Sequence, residues 1–304
     1  MNAPWPHSPA PKMPGIHVLK AYPLAELVPF IDWTYFFLAW KLKGIYPKIL
    51  EGDSPVAEEA RKLFADGKAM LQKIVSGNLL EARAVFGVFP VERHGDSAEV
   101  FNIPCDCGCV PAVKRIATFH FLRQQIPAET GAPLRSLADF LSPKERDWMG
   151  LFALSAGFGA KNLQIKYRMA GDPYSELLVQ SLAARLTEAF AEKLHREVGT
   201  KYWGYVPADS AFFGIRPAPG YPSCPDHSEK ATLWKLLNVT ERTGMRLTET
   251  YMMDPDCSIC GYYFAHPKSR YFGIGSVGED QLADYARRKD VSVDEARRWI
   301  ARGE

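Results

Sequence analysis

Proline and glycine dominate one run of the chain, Arg216 to Lys230, and this run constrains the fold more than any other segment. Five of its first ten residues are Pro or Gly. Proline removes backbone donors and fixes φ, so the run can be neither a helix nor a central strand. We expect a stiff loop that presents Arg216, Tyr221, Cys224 and His227, as a preorganised binding site requires. The alternative is a proline-rich surface connection.

One helix is predicted with both of its ends marked. Ser54 is a good N-cap, Pro55 suits the first helical position, and Gly77 fits the stop. Strand-like segments follow at residues 84–89, 98–101, 116–122 and 149–156. A turn at residues 94–96 predicts a hairpin between the first two of these strands.

A long helix is predicted from about Ser175 to Val198, because leucine and phenylalanine recur there at helical spacing. A second face is small or apolar except for Glu188, and it consists of Leu177, Ser181, Ala184, Glu188 and Ala191. A helix that is apolar on both faces is usually buried. A buried carboxylate needs a partner. Glu188 is therefore either part of an internal salt bridge or hydrogen bond, or a carboxylate aimed at a ligand amine.

The last third of the chain completes the predicted elements. Aromatic-rich or alternating segments at 245–251, 261–266 and 271–275 predict antiparallel strands, and Ser292 caps a closing helix that runs to Trp299. Strands and helices are interspersed, which indicates one α+β domain. We assign residues 21–304 to this domain and residues 1–20 to a proline-rich N-terminal arm.

Charge and hydropathy exclude several classes of protein. The net charge of +2 argues against a duplex nucleic-acid binder, which needs a basic face. No apolar run approaches the length of a membrane span, and the N-terminus lacks the apolar core of a signal peptide. We therefore expect a cytoplasmic protein without a membrane partner. Six cysteines in that compartment fit reduced thiols or a metal site better than a disulfide framework.

The loop carries the pattern Arg-x-x-x-Gly-Tyr at Arg216, Gly220 and Tyr221. This pattern resembles the signature of the activation, S-adenosylmethionine-binding domain of cobalamin-dependent methionine synthase. Further segments resemble the same family in the same order, at residues 24–34, 43–50, 121–125, 137–140, 201–205 and 284–289. The resemblance thus extends from about Leu24 to Trp299, and it implies a twisted, mainly antiparallel sheet flanked by helices.

The resemblance also implies which residues contact S-adenosylmethionine. They are Asp32, Glu188, Arg216, Ala218, Gly220, Tyr221, Tyr271 and Phe272. An arginine fork suits the ligand carboxylate, and a carboxylate suits the ligand amine. Tyr221 would face the cobalamin. Two alternatives remain from the residues alone, since Asp32 before Trp33 fits a simple turn cap and Tyr271 fits a core strand residue.

The cysteines depart from the family pattern. Cys105, Cys107 and Cys109 form one closely spaced group, and Cys257 and Cys260 form another. Thiolates at such spacing can converge on zinc or on an iron–sulfur cluster. The alternatives are reduced, unligated cysteines and thiol redox chemistry between the two groups.

The function that the resemblance implies is reactivation of cobalamin by reductive methylation, within methionine biosynthesis. The cobalt is the nucleophile, so no catalytic side chain is expected. We expect a stand-alone subunit, inactive alone, of a methyltransferase system. Its partners would be a corrinoid-binding protein or split methionine synthase and an electron donor such as a flavoprotein. The alternative function is an S-adenosylmethionine-binding redox or metal module that acts through its cysteines.

Overall fold

The computed structural model describes residues 8–103, 113–125, 131, 133–207 and 209–300. A six-stranded antiparallel sheet forms the centre of this α+β fold, which confirms the predicted fold class. Its strands are β1 (Gly15–Tyr22), β2 (Glu81–His94), β3 (Ser97–Phe101), β4 (Arg115–His120), β5 (Asp147–Phe158) and β8 (Ile259–Tyr263). Two short strands, β6 (Arg246–Leu247) and β7 (Met253–Asp254), pair separately.

The long strand β2 organises the sheet. One of its edges pairs with β5 from Glu81 to Val91. The other edge pairs first with β1 and then with β3, which leaves β4 and β8 as the outer strands in the order β4-β3-β2-β5-β8. The outer edge of β8 is therefore open to a further segment, and the candidate site forms there.

Helices cover both faces of the sheet. They are α1 (Trp33–Ala39), α2 (Pro55–Ser76), α3 (Ala160–Met169), α4 (Pro173–Glu197), α5 (Glu229–Leu237), α6 (Val239–Thr243), α7 (Glu279–Lys289) and α8 (Val293–Trp299). Side chains of β2 alternate between two cores, so that Phe86 packs with α1, α2 and α4 whereas Val85 packs with α5 and α6. A smaller third core lies between α7 and α8.

Two predicted helices and the predicted hairpin are confirmed. The Ser54 hydroxyl accepts the backbone N–H of Ala57 at 3.2 Å, and helix α2 ends at Gly77. The hairpin of β2 and β3 turns at residues 95 and 96, as predicted. Helix α4 matches the long predicted helix and continues as a π-helical turn at Val198–Tyr202.

Two predicted strands are wrong. Residues 271–275 form no strand, because their backbone bonds to the proline-rich loop instead: Ile274 N–H donates to Pro222 O at 2.8 Å. The predicted strand at 245–251 shortens to β6, whose partner is β7 rather than the main sheet. Period-two hydrophobicity marked both segments but does not specify a pairing partner.

The start of the chain is tied to the end of α4. Met13 N–H donates to Tyr202 O at 2.8 Å, and Trp203 Nε1 donates to Pro9 O at 2.9 Å. Strand β1 begins at Gly15, so the sheet extends into the segment predicted as an N-terminal arm. Across the described ranges, no helix is both long enough and apolar enough to cross a membrane.

Helix α7 is fixed near the N-terminus of α5 by a buried ion cluster. Lys289 Nζ lies 2.6 Å from Asp226 Oδ2 and 2.5 Å from Glu229 Oε1, and both carboxylates are only 1% exposed. The Tyr285 hydroxyl donates to Asp226 Oδ2 at 2.7 Å. Burial acts to raise the pKa of Asp226, but Lys289 outweighs it and the pKa falls below its ordinary value. At Glu229 the balance is reversed, because burial and the charge of Asp226 outweigh Lys289 and raise the pKa of this carboxyl.

Candidate functional site

The proline-rich loop begins as an extra strand segment on the outer edge of β8. Ile215 and Phe264 exchange backbone hydrogen bonds of 3.1 Å, and Tyr262 N–H donates to Pro217 O at 2.9 Å. Residues 215–217 thus cover the open sheet edge. This antiparallel register places Arg216 opposite Tyr263, with its side chain on the α4 side of the sheet.

The loop then closes on itself in a tight turn. Tyr221 N–H donates to Ala218 O at 3.2 Å, and Gly220 N–H donates to Cys224 O at 2.7 Å. Gly220 has a φ of +91°, and a Cβ there would lie 2.4 Å from a ring carbon of His227. Glycine is therefore required at this position. The run contains neither helix nor main-sheet strand up to Ser228, as its composition predicts.

A cleft of about 580 Å³ lies between the loop and helix α4. Its walls are Phe30, Asp32, Tyr35, Arg185, Glu188, Ala189, Glu192 and Arg216. The structure thus brings together Asp32, Glu188 and Arg216, three of the predicted contact residues, from distant parts of the chain. Three carboxylates face two guanidinium groups, so the cleft suits a ligand with more positive than negative charge.

Asp32 reaches the cleft from the N-terminus of α1. Its Oδ1 accepts the backbone N–H of Thr34 at 2.9 Å, which confirms the helix-cap alternative. Its Oδ2 has no hydrogen-bond partner among the described residues. One carboxylate therefore caps the helix and also lines the cleft.

Glu188 is exposed, and the prediction that it lies on a buried helix face is wrong. The face of α4 that carries it borders the open cleft instead of a packed layer. Within the described residues Glu188 forms neither an ion pair nor a hydrogen bond, so it has no internal partner of the kind considered above. Local desolvation, and then the negative charge of Glu188, raise the pKa of Tyr221.

Arg216 is held by both its side chain and its backbone. Its Nη1 lies 2.7 Å from Glu192 Oε2, and its backbone N–H donates to the Tyr271 hydroxyl at 3.0 Å. Glu192 Oε1 accepts from Arg196 Nε at 2.7 Å. Burial acts to raise the pKa of Glu192, but Arg196 and Arg216 outweigh burial and lower it. Glu192 is thus a carboxylate paired to two arginines.

A stack of aromatic rings lies beneath Arg216. The His195 ring stacks on Tyr263 with centroids 5.0 Å apart, and Phe152 also stacks on Tyr263, at 4.6 Å. The Tyr205 hydroxyl lies 3.1 Å from His195 Nε2. Burial, and then the charge of Arg216, lower the pKa of His195 to about 3, so the ring is neutral at physiological pH. The stack supports Arg216 without adding charge.

The remaining predicted contacts lie outside the cleft wall. Tyr221 and Tyr271 are exposed, at 62% and 58%, on the loop side of the cleft. Phe272 packs into the core, where its ring centroid is 6.2 Å from that of Phe140. Ala218 and Gly220 contribute backbone to the turn. Tyr271 is linked to the cleft through Arg216, and the structure places Phe272 away from it.

Sequence reasoning missed five cleft residues, Phe30, Tyr35, Arg185, Ala189 and Glu192. Two of them had a detectable signal. Arg185 and Glu192 lie three residues before and four residues after Glu188, which puts all three on one face of a helix. The Arg185 guanidinium lies 5.7 Å from the centre of the Tyr35 ring, a cation–π contact that no sequence pattern indicated.

The cysteines give no support to the predicted metal site. Cys257 packs in the core on the α4 side of the sheet, whereas buried Cys260 packs in the opposite core. Cys105, Cys107 and Cys109 lie outside the described residues. Where the structure describes the chain, no group of three or more His, Cys, Asp or Glu side chains is placed to hold a metal ion.

Comparison with known proteins gives two findings. Residues 23–290 match the family model described as "Vitamin B12 dependent methionine synthase, activation domain". The fold is similar to a crystal structure of the MetH reactivation domain bound to AdoHcy, with a TM-score of 0.89 and 41% sequence identity. That match covers 98% of this chain and 93% of the other.

Proposed function

The chain belongs to the family of activation domains of vitamin B12-dependent methionine synthase, and from this premise we propose that it binds S-adenosylmethionine in the Asp32–Glu188–Arg216 cleft and supports the reductive methylation of cobalamin. Cobalamin would be carried by a separate corrinoid-binding module. The task belongs to methionine biosynthesis, and it also needs an electron donor.

The observation that carries this proposal is the arrangement of charge in the cleft. Asp32 and Glu188 offer carboxylate oxygens without a protein partner among the described residues, and Arg216 offers donors of the opposite sign. An amino-acid group that bears an ammonium and a carboxylate fits these two poles. The excess of carboxylates also suits the positive sulfonium.

Aromatic and apolar surface accounts for the rest of the ligand. Phe30 and Tyr35 line the cleft, and Tyr221 and Tyr271 are exposed beside it. Flat side chains of this kind offer stacking surface to an adenine ring. The family resemblance assigns Tyr221 to the side of the cleft that faces cobalamin, and its exposure of 62% leaves it accessible for that role.

The residues of this chain bind and orient, and none of them need transfer a proton. When bound, S-adenosylmethionine supplies a methyl group to reduced cobalt. Asp32, Glu188 and Arg216 fix the amino-acid end of the ligand, so the sulfonium methyl has a defined direction. Rigid positioning and exclusion of water account for most of such an effect. The protein is accordingly expected to be inactive without a cobalamin-carrying partner.

The test has two steps. Isothermal calorimetry should show that the protein alone binds S-adenosylmethionine and S-adenosylhomocysteine. With a cobalamin-loaded partner, a chemical reductant and S-adenosylmethionine, methylcobalamin should then appear by its visible absorbance. Absence of binding by the wild-type protein contradicts the proposal. Efficient methyl transfer to a small molecule by the isolated protein also contradicts it.

A further inference from the structure

We propose that Glu192 is a positioning residue that makes the cleft selective for ligands with a free carboxylate, because it holds Arg216 with its remaining donors directed at the ligand. The inference rests on the proposed function, since it concerns the same cleft. It adds a residue that does not itself touch the ligand.

The first support is the way in which Glu192 engages Arg216. Only Nη1 of Arg216 contacts Glu192, at 2.7 Å. Nε and Nη2 have no hydrogen-bond partner within the described residues. A guanidinium has five N–H donors, so it can bond Glu192 and a second carboxylate together. The pair leaves a donor fork available in the wall of the cleft.

Glu192 is itself fixed, which a positioning residue requires. Its second oxygen, Oε1, accepts from Arg196 at 2.7 Å, one turn further along α4. Both carboxylate oxygens are therefore engaged, and its side chain is only 32% exposed. Arg216 is also tied through its backbone N–H to Tyr271 and lies opposite Tyr263 on the sheet edge. The guanidinium is thus held from the helix and from the sheet.

The second support is what Glu192 prevents. Glu188 lies one helical turn before Glu192, lines the same cleft and has no ion pair within the described residues. Without Glu192, the carboxylates that line the cleft and remain available to Arg216 are Glu188 and Oδ2 of Asp32, both assigned to the ligand amine. Such a pair with Arg216 would remove both the guanidinium that binds the ligand carboxylate and a carboxylate that binds the ligand amine. By pairing with Arg216, Glu192 keeps the charges of Arg216 and Glu188 apart, so both remain available to the ligand.

The neutral stack beneath the pair strengthens this argument. His195 lies on α4 next to Glu192 and Arg196, and its buried ring faces Tyr263. Because this ring is uncharged, it forms no ion pair with Glu192 or with the ligand carboxylate. The orientation of Arg216 therefore depends on Glu192 alone among the acidic residues of the cleft.

The experiment compares the dissociation constants of two ligands for the wild type and for E192Q, measured by calorimetry. S-Adenosylhomocysteine carries the free carboxylate, whereas 5′-methylthioadenosine lacks the whole amino-acid portion. In E192Q the Kd for S-adenosylhomocysteine should rise about 10- to 100-fold, the loss expected for hydrogen bonds to charged groups. The Kd for 5′-methylthioadenosine should stay within about twofold, which also shows that E192Q is folded. E192D, which restores the charge, should recover part of the affinity.

A matched control is available on the same helix. Glu176 near the start of α4 pairs with Arg168 of α3, and neither residue lines the cleft, so E176Q should leave both dissociation constants unchanged. Unchanged or tighter binding of S-adenosylhomocysteine by E192Q overturns this inference alone. An equal loss of both ligands also overturns it, because it indicates a general structural defect. If the wild type binds neither ligand, the proposed function fails and this inference falls with it.

Discussion

The carbonyl oxygen of Pro217 lies 2.4 Å from the position that a Cβ atom would take on Gly261. The proline-rich loop can therefore pair with β8 only because residue 261 has no side chain. Two segments distant in sequence meet at this contact. It determines how closely Arg216 approaches the sheet.

Substituting Gly261 with alanine should displace the loop from β8. We expect G261A to lose about 1–3 kcal/mol of unfolding free energy, as is usual for an added group in a packed site. Ligand binding should weaken as well, because Arg216 follows Pro217. Urea denaturation and calorimetry measure the two effects. G273A is the control, since its new Cβ would meet no atom closer than 3.8 Å. Equal stability of G261A and wild type contradicts the prediction.

Removal of the Arg216 side chain should abolish most ligand affinity. R216A leaves the ligand carboxylate desolvated and Glu192 without one of its two arginines. We expect a loss of roughly 2–4 kcal/mol in binding free energy, measured by calorimetry with S-adenosylmethionine. R168A, which breaks the surface pair with Glu176 on the far part of α4, should bind as wild type does. Equal affinity of R216A and wild type shows that the ligand lies elsewhere.

Stability should fall as the pH drops from about 6.5 towards 4. Burial, and then Arg216, lower the pKa of His195 to about 3 in the folded state, below the ordinary value of 6.5. In this range the unfolded chain binds a proton at His195 that the folded chain does not, so this one histidine contributes at most about 1.4 kcal/mol per pH unit to the loss of stability in acid. H195F should make the slope of unfolding free energy against pH shallower in urea titrations. Y205F keeps the imidazole and should keep the wild-type slope.

The ammonium of Lys289 should be essential to the packing of α7. K289M removes the partner of Asp226 and Glu229, both 1% exposed, and leaves two carboxylates buried together. We expect a loss of about 3–5 kcal/mol of unfolding free energy at neutral pH. R287A, two residues away in an exposed pair with Asp284, should change it by less than about 0.5 kcal/mol. A K289M protein as stable as R287A contradicts this prediction.

The sequence was most informative where local chemistry decides structure. Ser54 and Gly77 mark the ends of α2 because capping involves only nearby atoms. Arg216, Asp32 and Glu188 were placed in one site by family resemblance, and the structure brings them to one cleft. Helical spacing predicted burial for Glu188, and this was wrong, because spacing shows which residues share a helix face but not whether another element covers that face.

Other features depend on contacts between distant segments. The alternation at residues 271–275 suggested a strand, but Ser223 Oγ and Pro222 O bind this backbone instead. The pairing of Glu192 with Arg216 joins a helix to a loop and leaves no local pattern. Cys257 lies just before β8 and Cys260 within it, and the two pack in opposite cores of the sheet. Such features need the register of the sheet, which sequence periodicity does not supply.

The cover that residues 215–217 place over the edge of β8 has a consequence for solubility. An open strand edge exposes backbone donors and acceptors that recruit other chains into aggregates. In this protein the segment that shields the edge also carries Arg216. Variants that displace the loop are therefore expected to aggregate more readily than the wild type as well as to bind ligand more weakly.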